Sequence, residues 1–484
     1  MKKILFFLAA ICTIVSCKDL PLIESKNPVP MYPDYMDITI PVNIAPLNFL
    51  LRNNANGVKV IAGGKELYSG DDNKVTFDMS SWKGFTKENS GKTVDVNVIA
   101  REGDKWVEYK SFKWQIVKDS IDSYLTYRLI EPDYEIFNNL QIHQRCVENF
   151  DESALCDHNL VNNSCMNCHI VGNQNPNLSM MYVRGKNGGA VLNRNGELRK
   201  LDLKKAGMIS SSVYAGFNHT GRYIVFSTNI IIPAFHAQGS KRLEVFDSKS
   251  DVYIADLDKN VIFTQKNLCD STVLETFPTF SPDGKYIYFC SAKSVKLPED
   301  IKKLKYSLCR TTFNENNGKI GQKVDTIFNA NSKGAPYNSS KRSVCHPRVS
   351  PDGKYILYTV ADYGTFPIWH READLQMMNL KTRQIDTLAI VNSNRSDTYH
   401  SWSSNSHWFV FASKRDDGLY GKPYFCYIDR NGKAHKPFVL PQSDPSFYDL
   451  NLKSFNIPEL SRGKIPFNAV DVKRLMDKKS EKFK

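Results

Sequence analysis

One short theme recurs in the chain and restricts its fold more than any other feature. Phe280-Ser281-Pro282-Asp283-Gly284-Lys285-Tyr286-Ile287 is matched by Val349-Ser350-Pro351-Asp352-Gly353-Lys354-Tyr355-Ile356. Degenerate copies flank them at Phe217–Phe226, with Asn218-His219-Thr220-Gly221, and at Trp402–Phe411, with Ser404-Asn405-Ser406. Proline presets the second turn position, aspartate bonds its own backbone, and glycine takes the left-handed corner. The aromatic and β-branched run that follows is a strand. Starts at 217, 280, 349 and 402 are 63, 69 and 53 residues apart, with further hairpins such as Asp251–Leu257 and Asp374–Leu380 between them. Repetition of four-stranded units at this period is the signature of a β-propeller. Arg184–Leu203 supplies an earlier unit, and strands around Pro437–Leu440 help to close the ring. The propeller is expected over 180–455, with five to seven blades and six the favoured number.

The Ser-Pro-Asp-Gly-Lys hairpins resemble those of the TolB-like family of periplasmic propellers. That resemblance implies the fold but not an activity, because propellers host binding, scaffolding and catalysis alike.

The chain opens as an exported protein. Lys2 and Lys3 precede an apolar run from Ile4 to Val15, too short to span a bilayer. The run ends Ile14-Val15-Ser16-Cys17, which resembles a bacterial lipobox. The resemblance implies cleavage after residue 16, lipidation of Cys17 and a place in a Gram-negative envelope as an outer-membrane lipoprotein, facing the periplasm or the surface. Residues 17–35 then read as a tether. Residues 36–118 alternate short apolar runs with turns such as Asn56-Gly57 and Gly63-Gly64, suggesting an immunoglobulin-like sandwich. Residues 119–179 read as a short helical connector, with Leu140, His143 and Val147 at helical spacing. Residues 456–484 read as a basic tail. The overall class is mainly β.

Within the connector lies Cys165-Met166-Asn167-Cys168-His169. Two thiols three positions apart can form thioethers to the vinyl groups of one haem, and the adjacent imidazole can reach the iron from the same turn. The run resembles the attachment motif of c-type cytochromes, which implies covalent haem c on Cys165 and Cys168 with His169 as proximal ligand. A redox thiol pair, a zinc site and a disulfide compete, although the second Cys-x-x-Cys of a zinc ribbon is absent from the sequence. The motif leaves the sixth iron ligand open. His236, in the loop 233–241, is the first candidate; His219, His346, His400, Met180 and Met181 are weaker ones, and His346 and His400 would line the central channel.

Seven further cysteines follow Cys17 outside this run, an odd number, so this is no disulfide scaffold. The formal charge of +13 accompanies no nucleic-acid motif, and anionic headgroups, glycans or an acidic partner suit it better. No Gly-x-Ser-x-Gly elbow occurs, which argues against a hydrolase. Asp416-Asp417-Gly418 reads as a tight turn, Trp369, Trp402 and Trp408 as packing residues, and His370 as part of a solvated charged edge. Two functions remain open: a mono-haem electron carrier whose propeller docks a protein partner, or a non-redox envelope scaffold that recognises protein or glycan.

Overall fold

A computed structural model describes residues 20–131, 140–235, 243–332 and 343–484, with the backbone alone at Cys168 and Phe235. The residues fall into two β-rich parts joined by a continuous core.

The N-terminal part has two sheets. One runs Leu22–Glu24, Lys105–Glu108, Lys92–Glu102, Phe112–Val117, Ile38–Pro41, with Val58–Ala62 and Lys65–Gly70 branching from its centre. The other joins Met31–Tyr32, Phe49–Leu51 and Lys74–Val75. The expected tether is therefore folded from residue 20 onward: Val29, Met31 and Tyr35 are buried, enough apolar area to dock a segment that looked too proline-rich to order. The expected alternation of short strands is interrupted by a helix that begins at Met79 and runs to Glu88. Asp78 caps it through Ser81 N, and Trp82 and Phe85, three apart, face the core. Trp82 Nε1 donates to Ile44 O at 2.9 Å, and its ring meets Trp114 edge-on at 5.5 Å.

Residues 124–482 form six sheets of four or five strands among the described residues. One strand from each belongs to a closed ring: 166–171, 212–217, 273–280, 343–349, 397–402 and 454–461, each beside the next and the last beside the first. The arrangement is propeller-like. Ser281 and Ser350 carry the turn chemistry expected: each hydroxyl donates to the aspartate two residues on, at 2.6 Å, and accepts from the backbone of Tyr286 or Tyr355. Gly284 and Gly353 take φ of +69° and +74°.

Three expectations are corrected. The connector is not helical: Tyr124–Ile130, Gln141–Cys146 and Glu152–Asp157 are strands of the first sheet. Leu140, Ile142, Gln144 and Cys146 are all buried at a period of two. The polar Gln144 disguised it, because its side chain is satisfied by both backbone groups of Ile465. The propeller-like part thus begins near residue 124, not 180. The C-terminal segment is no free tail either. Ser454–Ser461 pairs with Tyr124–Ile130, and Glu481–Lys482 pairs with Leu201 and Asp202. Between them Ala469–Met476 is a helix with a capping box of Asn468 and Asp471.

The N-terminal part is fastened to the sixth sheet. Trp408 Nε1 donates to Asp119 O at 2.8 Å, Ser404 donates its N–H and hydroxyl to Asp122, and Arg52 forks onto Asp449. No helix among the described residues is long and apolar enough to cross a membrane.

Candidate functional site at the propeller axis

The Cys-x-x-Cys-His run is not in a loop beside the ring but within it. Met166–Val171 is the inner strand of the second sheet, with Cys165 just before it. Arg128, buried on the first sheet, holds this strand by donating to Met166 O at 3.2 Å and Asn167 Oδ1 at 2.6 Å.

All six sheets show a register shift involving the inner strand at the same height. A bulge aims an extra side chain inward and bends the strand. Tyr214, Phe277, His346, Tyr399 and Ile457 occupy these bulges with φ between +46° and +55°. Each costs of order 1–3 kcal/mol in backbone strain. Ring packing across neighbouring sheets opposes that cost: Tyr214 to Phe277 is 4.2 Å between centroids, Phe277 to His346 4.0 Å, and His346 to Tyr399 4.7 Å. Cys168-His169 falls at the equivalent shift in the second sheet. These residues close the axis partway along its length.

His169 is 6% exposed, and its Nε2 has no hydrogen-bond partner. Burial lowers its pKa to about 3, helped by the nearby Arg128 charge and opposed by hydrogen bonds to the backbone of Thr126 and Ile457. The ring is therefore neutral. His346 lies at the axis as expected, His400 is buried in the next inner strand, and burial drives both pKa values down, His400 to about 3. His400 donates from Nε2 to Leu357 O at 2.9 Å.

The space beside His169 is small. His169 shares with His346, Phe277, Arg348 and Ile457 a cavity of about 40 Å³, whereas small-molecule and cofactor pockets run to roughly 300–1,000 Å³. Cys165 is half-buried before the strand begins, its carbonyl bonded to Arg184 N at 2.9 Å, and it does not line that cavity. The motif is a bulged strand rather than the helical turn from which an imidazole would meet the iron. Among the described residues no group of three or more His, Cys, Asp or Glu is placed to hold a metal. Cys17 and His236 lie outside the described residues.

Beyond the aromatic closure the axis widens into a cavity of about 340 Å³ to which every inner strand contributes. Its wall includes Arg348, whose Nη2 meets Glu459 Oε1 at 3.0 Å, and its rim includes His219, Ser281 and Arg462. Glu459 is buried, and desolvation raises its pKa against the pull of Arg348. His219, part-exposed as a turn residue should be, sits 3.2 Å from Glu315. This cavity was missed in the sequence, although the turn motif sits on its rim.

Elsewhere, Trp402 and Trp408 pack as expected, Met180 and Met181 are core, and Cys146 and Cys156 are free buried thiols. Asp417 Oδ1 accepts from Leu419 N and Tyr420 N in a tight turn. His370 departs from expectation. It is 1% exposed under the ring of Tyr363 and bonded to Glu372 at 2.7 Å, while Arg371 beside it stays exposed.

No family model matches the chain, and no curated protein matches it. Solved structures similar to it include a DUF4784 family protein from Bacteroides caccae, 9% identical, covering 73% of this chain and 94% of that one at a TM-score of 0.30. An ancestral GH74 enzyme is 11% identical and covers 87% of this chain and 63% of that one, TM-score 0.34. A thermostable family-43 glycoside hydrolase is 13% identical and covers 61% and 89%, TM-score 0.29. The likeness at these scores is too slight to bear on function; the closed ring of inner strands defines the class, a propeller-like β protein.

Proposed function

We propose that this protein is an envelope lipoprotein whose six sheets are the blades of one TolB-like β-propeller, and that it binds a small polar ligand in the axial mouth. The observation that carries this reading is the cavity of about 340 Å³ reached by all six inner strands. Its volume is at the lower end of ligand pockets, and its polar side chains converge from separate, rigid strands. The N-terminal part is read as an immunoglobulin-like spacer modified by the helix at Met79–Glu88, held rigidly so that the propeller stands at a fixed attitude to the anchor at Cys17. Thermal-shift measurements with a panel of sugars, sugar acids, amino acids and dipeptides test the reading. At least one compound should stabilise the mature protein and fail to stabilise Thr279→Phe, which fills the cavity; if none behaves so, the reading is wrong.

The motif Cys165-Met166-Asn167-Cys168-His169 supports a second reading, an electron carrier with covalent haem. It requires the inner strand of the second blade to leave the ring. A Soret band that survives denaturation, in protein exported alongside haem-attachment machinery and lost in Cys165→Ala with Cys168→Ala, would establish it in place of the first.

A further inference from the structure

We infer that the ligand of the axial mouth carries a carboxylate, received by Arg462, and hydroxyl groups received by the surrounding strands; the inference rests on the binding reading above. Four charged or titratable side chains line the mouth: Arg348, Glu459, Arg462 and His219. Arg348 is matched to Glu459 at 3.0 Å, and His219 faces Glu315 at 3.2 Å. Arg462 differs. Its main-chain N donates to Gln174 O at 2.8 Å and its Nε reaches the same oxygen at 3.5 Å, so its stem is fixed across the seam between the first and second sheets. Its Nη1 and Nη2 have no acceptor among the described residues. The Asp122 carboxylate is within electrostatic range but already accepts both the N–H and the hydroxyl of Ser404.

A planar guanidinium with two free donors, anchored through its stem, is suited to a bidentate carboxylate. The oxygen that anchors it belongs to Gln174, and Asn173 and Gln174 both hold φ of +53°, a strained pair at the rim. Backbone strain of this kind is retained where surrounding structure over-determines it, commonly at ligand clamps. Thr279, Ser401 and Asn173 add hydroxyl and amide groups to the same space. Net charge and size together define a hydroxylated monocarboxylate of roughly monosaccharide to disaccharide size.

Isothermal titration of the full mature protein with D-glucuronate and D-glucose tests this. Glucuronate should bind at least about tenfold more tightly than glucose at low salt, with the advantage shrinking as salt rises. Arg462→Gln should remove that advantage, and Arg462→Lys should restore part of it. If glucuronate and glucose bind equally and Thr279→Phe abolishes both, the cavity binds ligands but the carboxylate inference is refuted. If Arg462→Gln leaves glucuronate affinity unchanged, or glucuronate does not bind the folded protein, the inference is likewise refuted.

Discussion

Replacing His169 by asparagine should make the protein less sensitive to acid, and the size of the effect follows from the burial of one imidazole. The folded-state pKa is about 3, against 6.5 for an accessible histidine. Between those values the unfolded chain binds a proton that the folded chain excludes, so stability falls as pH falls from 6.5 toward 3. At pH 7 the term is absent. At pH 5 it amounts to about 2 kcal/mol, from about 1.5 pH units at 1.36 kcal/mol each. Asparagine is close to imidazole in shape, keeps a neutral N–H donor and does not titrate. It leaves a small void, costing roughly 1–2 kcal/mol at every pH. In urea unfolding followed by tryptophan fluorescence, the variant should therefore have the lower midpoint at pH 7 and gain on the wild type by about 2 kcal/mol at pH 5. His346 and His400 titrate in the same sense in both proteins and cancel from the difference. Parallel loss of stability in the two proteins would refute the neutral, buried assignment of His169.

Asp247 should act in the opposite direction: it is fully buried, desolvation raises its pKa to about 7 despite hydrogen bonds from Asn229 and Thr365, and the folded state alone binds its proton between pH 3.8 and 7. Stability should fall as pH rises through that window, and Asp247→Asn should exceed the wild type by up to about 4 kcal/mol at pH 8 while matching it near pH 4, checked by the same unfolding curves. Gly353→Ala should cost about 1 kcal/mol in thermal or urea unfolding, since its φ is +74° with open space around a new Cβ. Gly284→Ala should cost more, because there the Cβ meets His219 Nδ1 at 2.9 Å and Glu315 Oε2 at 2.8 Å and must part that pair. Cys17→Ser should leave unprocessed protein that no longer carries lipid, read by mass spectrometry of the membrane fraction; mature mass with retained membrane attachment would contradict the anchor.

The parts of the ring that could be read in the sequence are those whose turns keep their proline, aspartate and glycine. Two of the six were hidden for a physical reason. Val171-Gly172-Asn173-Gln174 and Ser461-Arg462-Gly463-Lys464 make the turns after the second and first inner strands without the Ser-Pro-Asp-Gly chemistry, using positive φ at Asn173 and Gln174 in one case. A weaker repeat was present throughout. Phe277-Pro278, His346-Pro347, Tyr399-His400, Tyr214-Ala215 and Ile457-Pro458 each start four residues before the Ser or Asn that opens a turn, and Cys168-His169 stands four before Gly172. Aligning those bulge pairs would have placed the Cys-x-x-Cys-His run inside the repeat. Its close match to a haem-attachment signature masks that register. The placement of Arg462 was not legible at all, because it depends on Gln174 O, 288 residues earlier in the chain.

The pairing of Ser454–Ser461 with Tyr124–Ile130 also dictates an order of assembly. A chain that emerges N-terminus first has made the third to sixth sheets before the strand that finishes the first one exists, and the second still awaits Glu481–Lys482. Until then Tyr124–Ile130 has a bare edge, with its inward backbone donors and acceptors open to any other extended chain. Contacts across more than three hundred residues form slowly, because the loop must be closed before they contribute anything. The segment that leads into the last strand is also gripped early, with Asn48 donating to Gln442 O and Ser443 O and Arg52 holding Asp449. Those contacts lie just before the closing strand and would hold it near its place. Once seated, the strand is a latch: a protease that cut between residues 443 and 453 would leave every sheet formed yet remove the covalent tether that returns the last strand to the first.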